Sequence, residues 1–179
     1  MPMKVKYYLS LLLSAILLSP ACVKENNGRN FEMAYDNLLF TMPAGLNPFE
    51  IHYFVLRDIP LNKVFYFEQN NVTDQTKWRI KPHAARLQSV FGSVDYNFIE
   101  EAAVVIFTEE QPNLNLELFF RNPVPMNQGP SLDLVPTLAD IQSLLKTDKI
   151  NLRVKLRLRN TTPEFVETYL SFKLLVEEI

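Results

Sequence analysis

The stretch from Ile150 to Arg159 constrains the fold more than any other part of this chain. Ile150, Leu152, Val154, Leu156 and Leu158 alternate with Asn151, Arg153, Lys155, Arg157 and Arg159, a period of two that suits a half-buried β-strand and not a helix. After the turn-prone Asn160-Thr161-Thr162-Pro163, the segment from Val166 sets Leu170, Phe172, Leu174 and Val176 on one face and Glu167, Tyr169, Ser171 and Lys173 on the other. The two runs predict a β-hairpin with both apolar faces turned the same way. Burying each large aliphatic side chain is worth roughly 1.5 to 3 kcal/mol, against about 0.2 to 1 for an exposed ion pair, so the inward face holds it.

Weaker signals upstream extend the pattern. Leu114, Leu116, Leu118 and Phe120 alternate with Asn115, Glu117 and Arg121, and Phe49, Ile51, Tyr53 and Val55 with Glu50, His52, Phe54 and Leu56. The second run is apolar on both faces and predicts a central strand. Asn37 to Thr41, Val64 to Phe67, Ala102 to Phe107 and Leu132 to Val135 read as further short strands. Thr137 to Leu145 has a helical look, with Thr137 as N-cap and Leu138, Ile141, Leu144 and Leu145 on one side. Pro82 to Phe91 fits either a short helix or an extended segment. The expected fold is all-β: an antiparallel β-sandwich, immunoglobulin-like or jelly-roll-like, with one short helical crossover.

Composition bears on how such a fold is held. The chain contains 4 glycines and 12 prolines, which suits short strands joined by stiff loops, and a single cysteine, Cys22, so no intrachain disulfide can staple it. About 150 residues can be held by packing alone, burying roughly 68 to 70% of their unfolded surface.

Cys22 stands in a distinctive setting. A basic start (Lys4, Lys6) is followed by an apolar run from Tyr7 to Leu18, shorter than the roughly 20 residues of a membrane-spanning helix, and by the small-residue exit Ser19-Pro20-Ala21. The region resembles a bacterial lipobox, with Ser19 where Leu is commonest and Leu18 one place further back. The residues Val23-Lys24-Glu25-Asn26-Asn27 resemble the export signals of surface lipoproteins of Bacteroidota. The resemblance implies removal of residues 1–21 as a signal peptide and acylation of Cys22; the polar, aperiodic residues that follow read as a tether over 22–30, and the length of the remainder suits a single domain over 31–179. It also implies lipid anchoring in the outer membrane, facing either the cell surface or the periplasm. Loss of Met1 to Ala21 takes away Lys4 and Lys6 and no acid, so the formal charge moves from −2 to −4. A mildly acidic domain is poorly suited to nucleic acid.

Catalytic constellations are thin. The two histidines, His52 and His83, belong to no metal-binding or nucleophile motif, and no phosphate-cradling glycine loop is present. Glu50 and His52 share a strand face at i and i+2, but two ligands do not make a metal site. Paired acids (Glu100-Glu101, Glu109-Glu110, Glu177-Glu178) sit on adjacent residues, which on a strand point to opposite faces. Neither a cofactor nor a metal is expected.

Binding features are better represented. Arg153, Lys155, Arg157 and Arg159 would line one strand face at a spacing of about 6.6 to 6.8 Å, a positive stripe suited to an anionic polymer or an acidic partner, or else a solvated face balanced by Glu167 across the hairpin. Trp78, the only tryptophan, lies in the polar run Asp74 to Arg79 and is the best single residue for stacking a sugar, with core packing as the alternative. The sequence therefore points to a lipid-anchored, non-enzymatic binding or assembly module with a glycan or protein partner. The competing reading is a hydrolase of envelope polymer or polysaccharide, which would need two acids and a histidine converging in one cleft.

Overall fold

The computed structural model describes residues 30–74, 77–109, 113–114 and 116–179. The leader, Cys22 and the tether as far as residue 29 lie outside the described residues, as does Asn115. The fold is predominantly antiparallel β. Its strands among the described residues are β1 (Asn30–Met42), β2 (Ile51–Pro60), β3 (Trp78–Ser89), β4 (Ile99–Phe107), β5 (Leu116–Arg121), β6 (Ser131–Pro136), β7 (Lys149–Leu158) and β8 (Val166–Glu178), and an α-helix, α1 (Lys63–Gln69), follows β2. They form a single sheet in the order β1-β8-β3-β6-β5-β4-β7-β2.

That sheet curls on itself. The join between β6 and β5 is only Phe119 opposite Pro136 and Phe120 opposite Val135, so the two four-stranded halves fold over one another about it. Phe119 of β5 meets Phe172 of β8 across the interior at 6.2 Å between ring centroids, and Tyr35 stacks on Phe172 at 4.7 Å. At the far margin β1 and β2 return to each other through Phe40 and Phe54, 5.2 Å apart, without a shared ladder. The result is a nearly closed barrel. Both margins carry a bulge, between Tyr35 and Leu38 in β1 and between Leu56 and Ile59 in β2, with Asn37 and Asp58 in the left-handed region. Bulged margins that face each other are not the flat, open edge on which another strand adds.

Two buried hydroxyl pairs tie connections to the barrel. Tyr35 Oη donates to the Leu61 carbonyl at 2.8 Å, and Tyr96 Oη donates to Thr168 Oγ1 at 3.0 Å. Burial pushes both phenols well above the ordinary tyrosine range.

Several expectations are corrected by this topology. The alternating runs of β7 and β8 are strands with buried inward faces, but they do not form a hairpin: β7 lies between β4 and β2, and β8 between β1 and β3. A period of two reports which face is buried, and a connection crossing from one half to the other buries the same face as a hairpin would. Glu167, expected to balance the basic stripe, instead lies opposite Thr41. The run Ile51 to Leu56 belongs to a marginal strand rather than a central one, and its second apolar face is exposed.

Val64 to Phe67 is not a strand but most of α1. Tyr66 Oη donates to the Ala34 carbonyl at 2.8 Å and Phe67 is buried, while Val64 and Phe65 face outward. These tertiary contacts override the β preference of the aromatics. Thr137 to Leu145 is irregular apart from a single 3₁₀ turn at Gln142–Leu144. Thr137 does not cap a helix; its hydroxyl donates to the Glu117 carbonyl at 2.9 Å, and Ile141 N donates to the Ile80 carbonyl at 2.9 Å. Pro82 to Ser89 resolves as part of β3.

Candidate functional site

The outward face of β2, β7, β4 and β5 combines charge and aromatic surface. Because Leu152, Val154 and Leu156 point into the barrel, Arg153, Lys155 and Arg157 must point out. Cross-strand register then sets their neighbours: Val55 and Val105 flank Arg153, Tyr53 and Ala103 flank Lys155, and Ile51 and Glu101 flank Arg157. Ala103, Val105 and Phe107 alternate with the core residues Ala102, Val104 and Ile106, yet they are buried as well. The long basic side chains roof this outer apolar row, laying their methylene stems on it while the charged heads reach water.

Phe107 is the centre of that roof. The Arg153 guanidinium lies 4.7 Å from the Phe107 ring centroid and 5.8 Å from that of Tyr53, and the Arg57 guanidinium lies 5.7 Å from the Phe107 centroid. Such contacts fix cations that would otherwise repel one another, and each is worth about 0.5 to 1 kcal/mol at an exposed site. Arg157 takes a carboxylate as its partner, Glu101, at 3.4 Å. Beside it, Lys155, Arg157, Glu101, Glu117 and Phe120 enclose a hollow of about 100 Å³ floored by Ala102 and Ala103. Its walls offer both charge signs and a ring edge, which suits a small polar or anionic group. A larger cleft of about 550 Å³ opens at one end of the barrel between Asp58, Phe107, Lys146 and Lys149.

Two of the residues singled out by sequence lie elsewhere. Trp78 is 5% exposed, with its ring 5.6 Å from Phe31 and 6.5 Å from Phe67. It opens β3 on the inward side with Ile80, so its polar neighbours Lys77 and Arg79 point out and it cannot stack a ligand. Arg159 lies just past the end of β7 and leaves the stripe. Its Nη2 donates to the Val124 carbonyl at 2.5 Å, its backbone N donates to the Phe98 carbonyl at 2.9 Å, and among the described residues its buried Nη1 has no hydrogen-bond partner. Arg159 thus knits loops together.

The histidines and acids also spread apart. His52 Nε2 faces the Asn47 carbonyl at 2.7 Å, and Glu50 accepts from Asn47 Nδ2 at 3.4 Å. His83 meets Glu32 at 3.0 Å on the far half of the barrel. Among the described residues no group of three His, Cys, Asp or Glu is placed to hold a metal ion, and no histidine lines either hollow. Sequence reading missed Arg57, Phe107, Glu101, Glu117 and Phe120 as members of the face, since they come from strands brought together only by pairing.

No protein-family model and no curated protein matches the chain. The chain is similar to a chain in the cryo-EM structure of Mud crab tombus-like virus at 10% identity, covering 93% of this chain and 97% of that one, with a TM-score of 0.35. At that score the likeness carries no argument about fold or role.

Proposed function

We propose that this protein is a lipid-anchored outer-membrane lipoprotein, displayed at the cell surface, whose β-domain is a non-enzymatic binding module. The Ser19-Pro20-Ala21-Cys22 exit and the following Lys24-Glu25 support the anchor, and two or three acyl chains on Cys22 would hold it durably. No helix of the described residues is long and apolar enough to cross a membrane. Strand order within the two halves, β1-β8-β3-β6 and β2-β7-β4-β5, supports a jelly roll over an immunoglobulin-like sandwich.

The binding reading is carried by one observation, the Arg153 guanidinium held between the rings of Phe107 and Tyr53 and next in line to Lys155 and the small hollow. Fixed cations beside exposed Tyr53 match an anionic surface polymer, whose charged groups meet Lys155 and Arg153 while its apolar face lies on Tyr53. Binding of heparin, with neutral dextran as control, tests this reading. The combined variant Tyr53→Ala, Arg153→Ala, Lys155→Ala loses at least tenfold in heparin affinity if the face is the site, and unchanged affinity overturns it. Metabolic labelling with an alkyne-tagged palmitate tests the anchor: label on the wild type and none on Cys22→Ala is expected, and an unlabelled wild type refutes it.

A further inference from the structure

Antiparallel connections place four loops at one end of the barrel: 43–50 after β1, 90–98 after β3, 122–130 after β5 and 159–165 after β7. The chain enters β1 at the opposite end. Backbone hydrogen bonds lace the four together. Gly45 N donates to the Thr162 carbonyl at 2.9 Å, Arg159 N to Phe98 at 2.9 Å, and Tyr96 N to Gly129 at 3.1 Å. Each loop nevertheless turns one large apolar side chain fully or largely into water: Phe49 is 95% exposed, Phe91 101%, Met126 79% and Phe165 60%.

Scattered exposed apolar residues need no explanation, but one on each of four bound loops at a single end is a pattern. Phe91 adds a second cost. Its φ of 58° lies in the left-handed region, next to Gly92 at 64°, where a bulky side chain is strained and Gly or Asn would sit at ease. Neither the strain nor the exposure stabilises the barrel. Phe and Met are the residue types enriched at the buried centre of protein interfaces, where each aromatic covers about 150 to 250 Å².

We infer that this four-loop end is a docking surface for another protein, one that presents apolar pockets rimmed by Lys and Arg. Charge selects that occupant. The loops expose Glu50, Asp95 and Glu164, and their one cation, Arg159, is turned inward to Val124. An anionic membrane is repelled by such an end, and a second copy docked end to end would set the same three acids against themselves. The tether cannot cover it. Here the argument rests on the anchoring reading: residues 22–29, at most about 3.6 Å each, reach about 29 Å, whereas the 13 residues of β1 put the loops about 40 Å from Asn30. The loop end then points away from the membrane.

Photo-crosslinking tests the inference, with p-benzoylphenylalanine placed at Phe91 or Phe165 of the full chain in its own cells and, as controls, at the exposed Leu138 and Val64. The expected result is one protein adduct of discrete mass from Phe91 and Phe165 and none from the controls. That protein, once purified, should bind the full chain and lose at least tenfold in affinity to Phe49→Ser/Phe165→Ser, and binding should weaken with salt. An adduct of twice the chain mass, an adduct to lipid or polysaccharide, equal adducts from the controls, or no adduct overturns it. Unchanged thermal melts establish that the variants fold, since all the altered side chains are exposed. Palmitate labelling separates the two readings: an adduct on an unlabelled chain sinks the anchor alone, and labelled protein without an adduct sinks the docking surface alone.

Discussion

The Arg153 guanidinium sits 4.7 Å from the centroid of Phe107 on the outside of the barrel, one strand away, and this pairing converts a row of mutually repelling cations into a roof over buried apolar surface. Charge and packing are separable there. Arg153→Met keeps the stem and removes the cation, and is expected to cost about 0.5 to 1 kcal/mol in urea unfolding. Arg153→Ala is expected to cost more, because the roof over Val105 and Phe107 goes with the stem. Equal losses in the two variants would show that the cation, and not the packing of the stem, holds the face.

Trp78 makes a sharp internal probe, being the only tryptophan. Its native fluorescence is expected to be blue-shifted and to move to the red only on global unfolding, and addition of heparin should leave it unchanged. Trp78→Ala should cost about 3 to 5 kcal/mol through the cavity left beside Phe31 and Phe67. A red-shifted native spectrum would contradict the buried position.

Tyr96 and Thr168 form a buried pair in which the phenol donates at 3.0 Å. Tyr96→Phe removes the donor, leaves the Thr168 hydroxyl short of a partner, and is expected to cost about 1 to 3 kcal/mol. Tyr96→Phe combined with Thr168→Val should cost less than the sum of the single changes, as measured in a double-mutant cycle.

Glu32 accepts from Lys173 at 2.7 Å and faces His83 at 3.0 Å. The hydrogen bond from Lys173, opposed by some desolvation, holds its carboxyl below the ordinary range. A folded-state value depressed in this way adds stability that is present above the unfolded value and is lost as pH falls through the folded one. Wild type should therefore exceed Glu32→Gln in stability at neutral pH, with the gap closing below about pH 4.3. A gap that widens on acidification would reverse the sign.

The amino-acid sequence by itself determined that this chain would be built from strands and, in β7, which residues face inward, because a buried and a solvated face impose alternation within a single strand. It also put Arg153, Lys155 and Arg157 on one outward face. Partnership was a different matter. Whether β7 pairs with β8 or with β4 and β2 depends on contacts between segments distant along the chain, and alternation is identical in both cases. The same limit hid the fate of Trp78, whose polar neighbours suggested exposure until β3 turned it toward Phe31 and Phe67. It likewise let Val64 to Phe67 read as a strand, since seven helical residues are too few to display a helical period, and only Ala34 and the core select the helix. Tertiary structure alone gathered Phe49, Phe91, Met126 and Phe165 at one end. Loop residues carry no periodicity, and it is the antiparallel path of eight strands that decides which loops become neighbours.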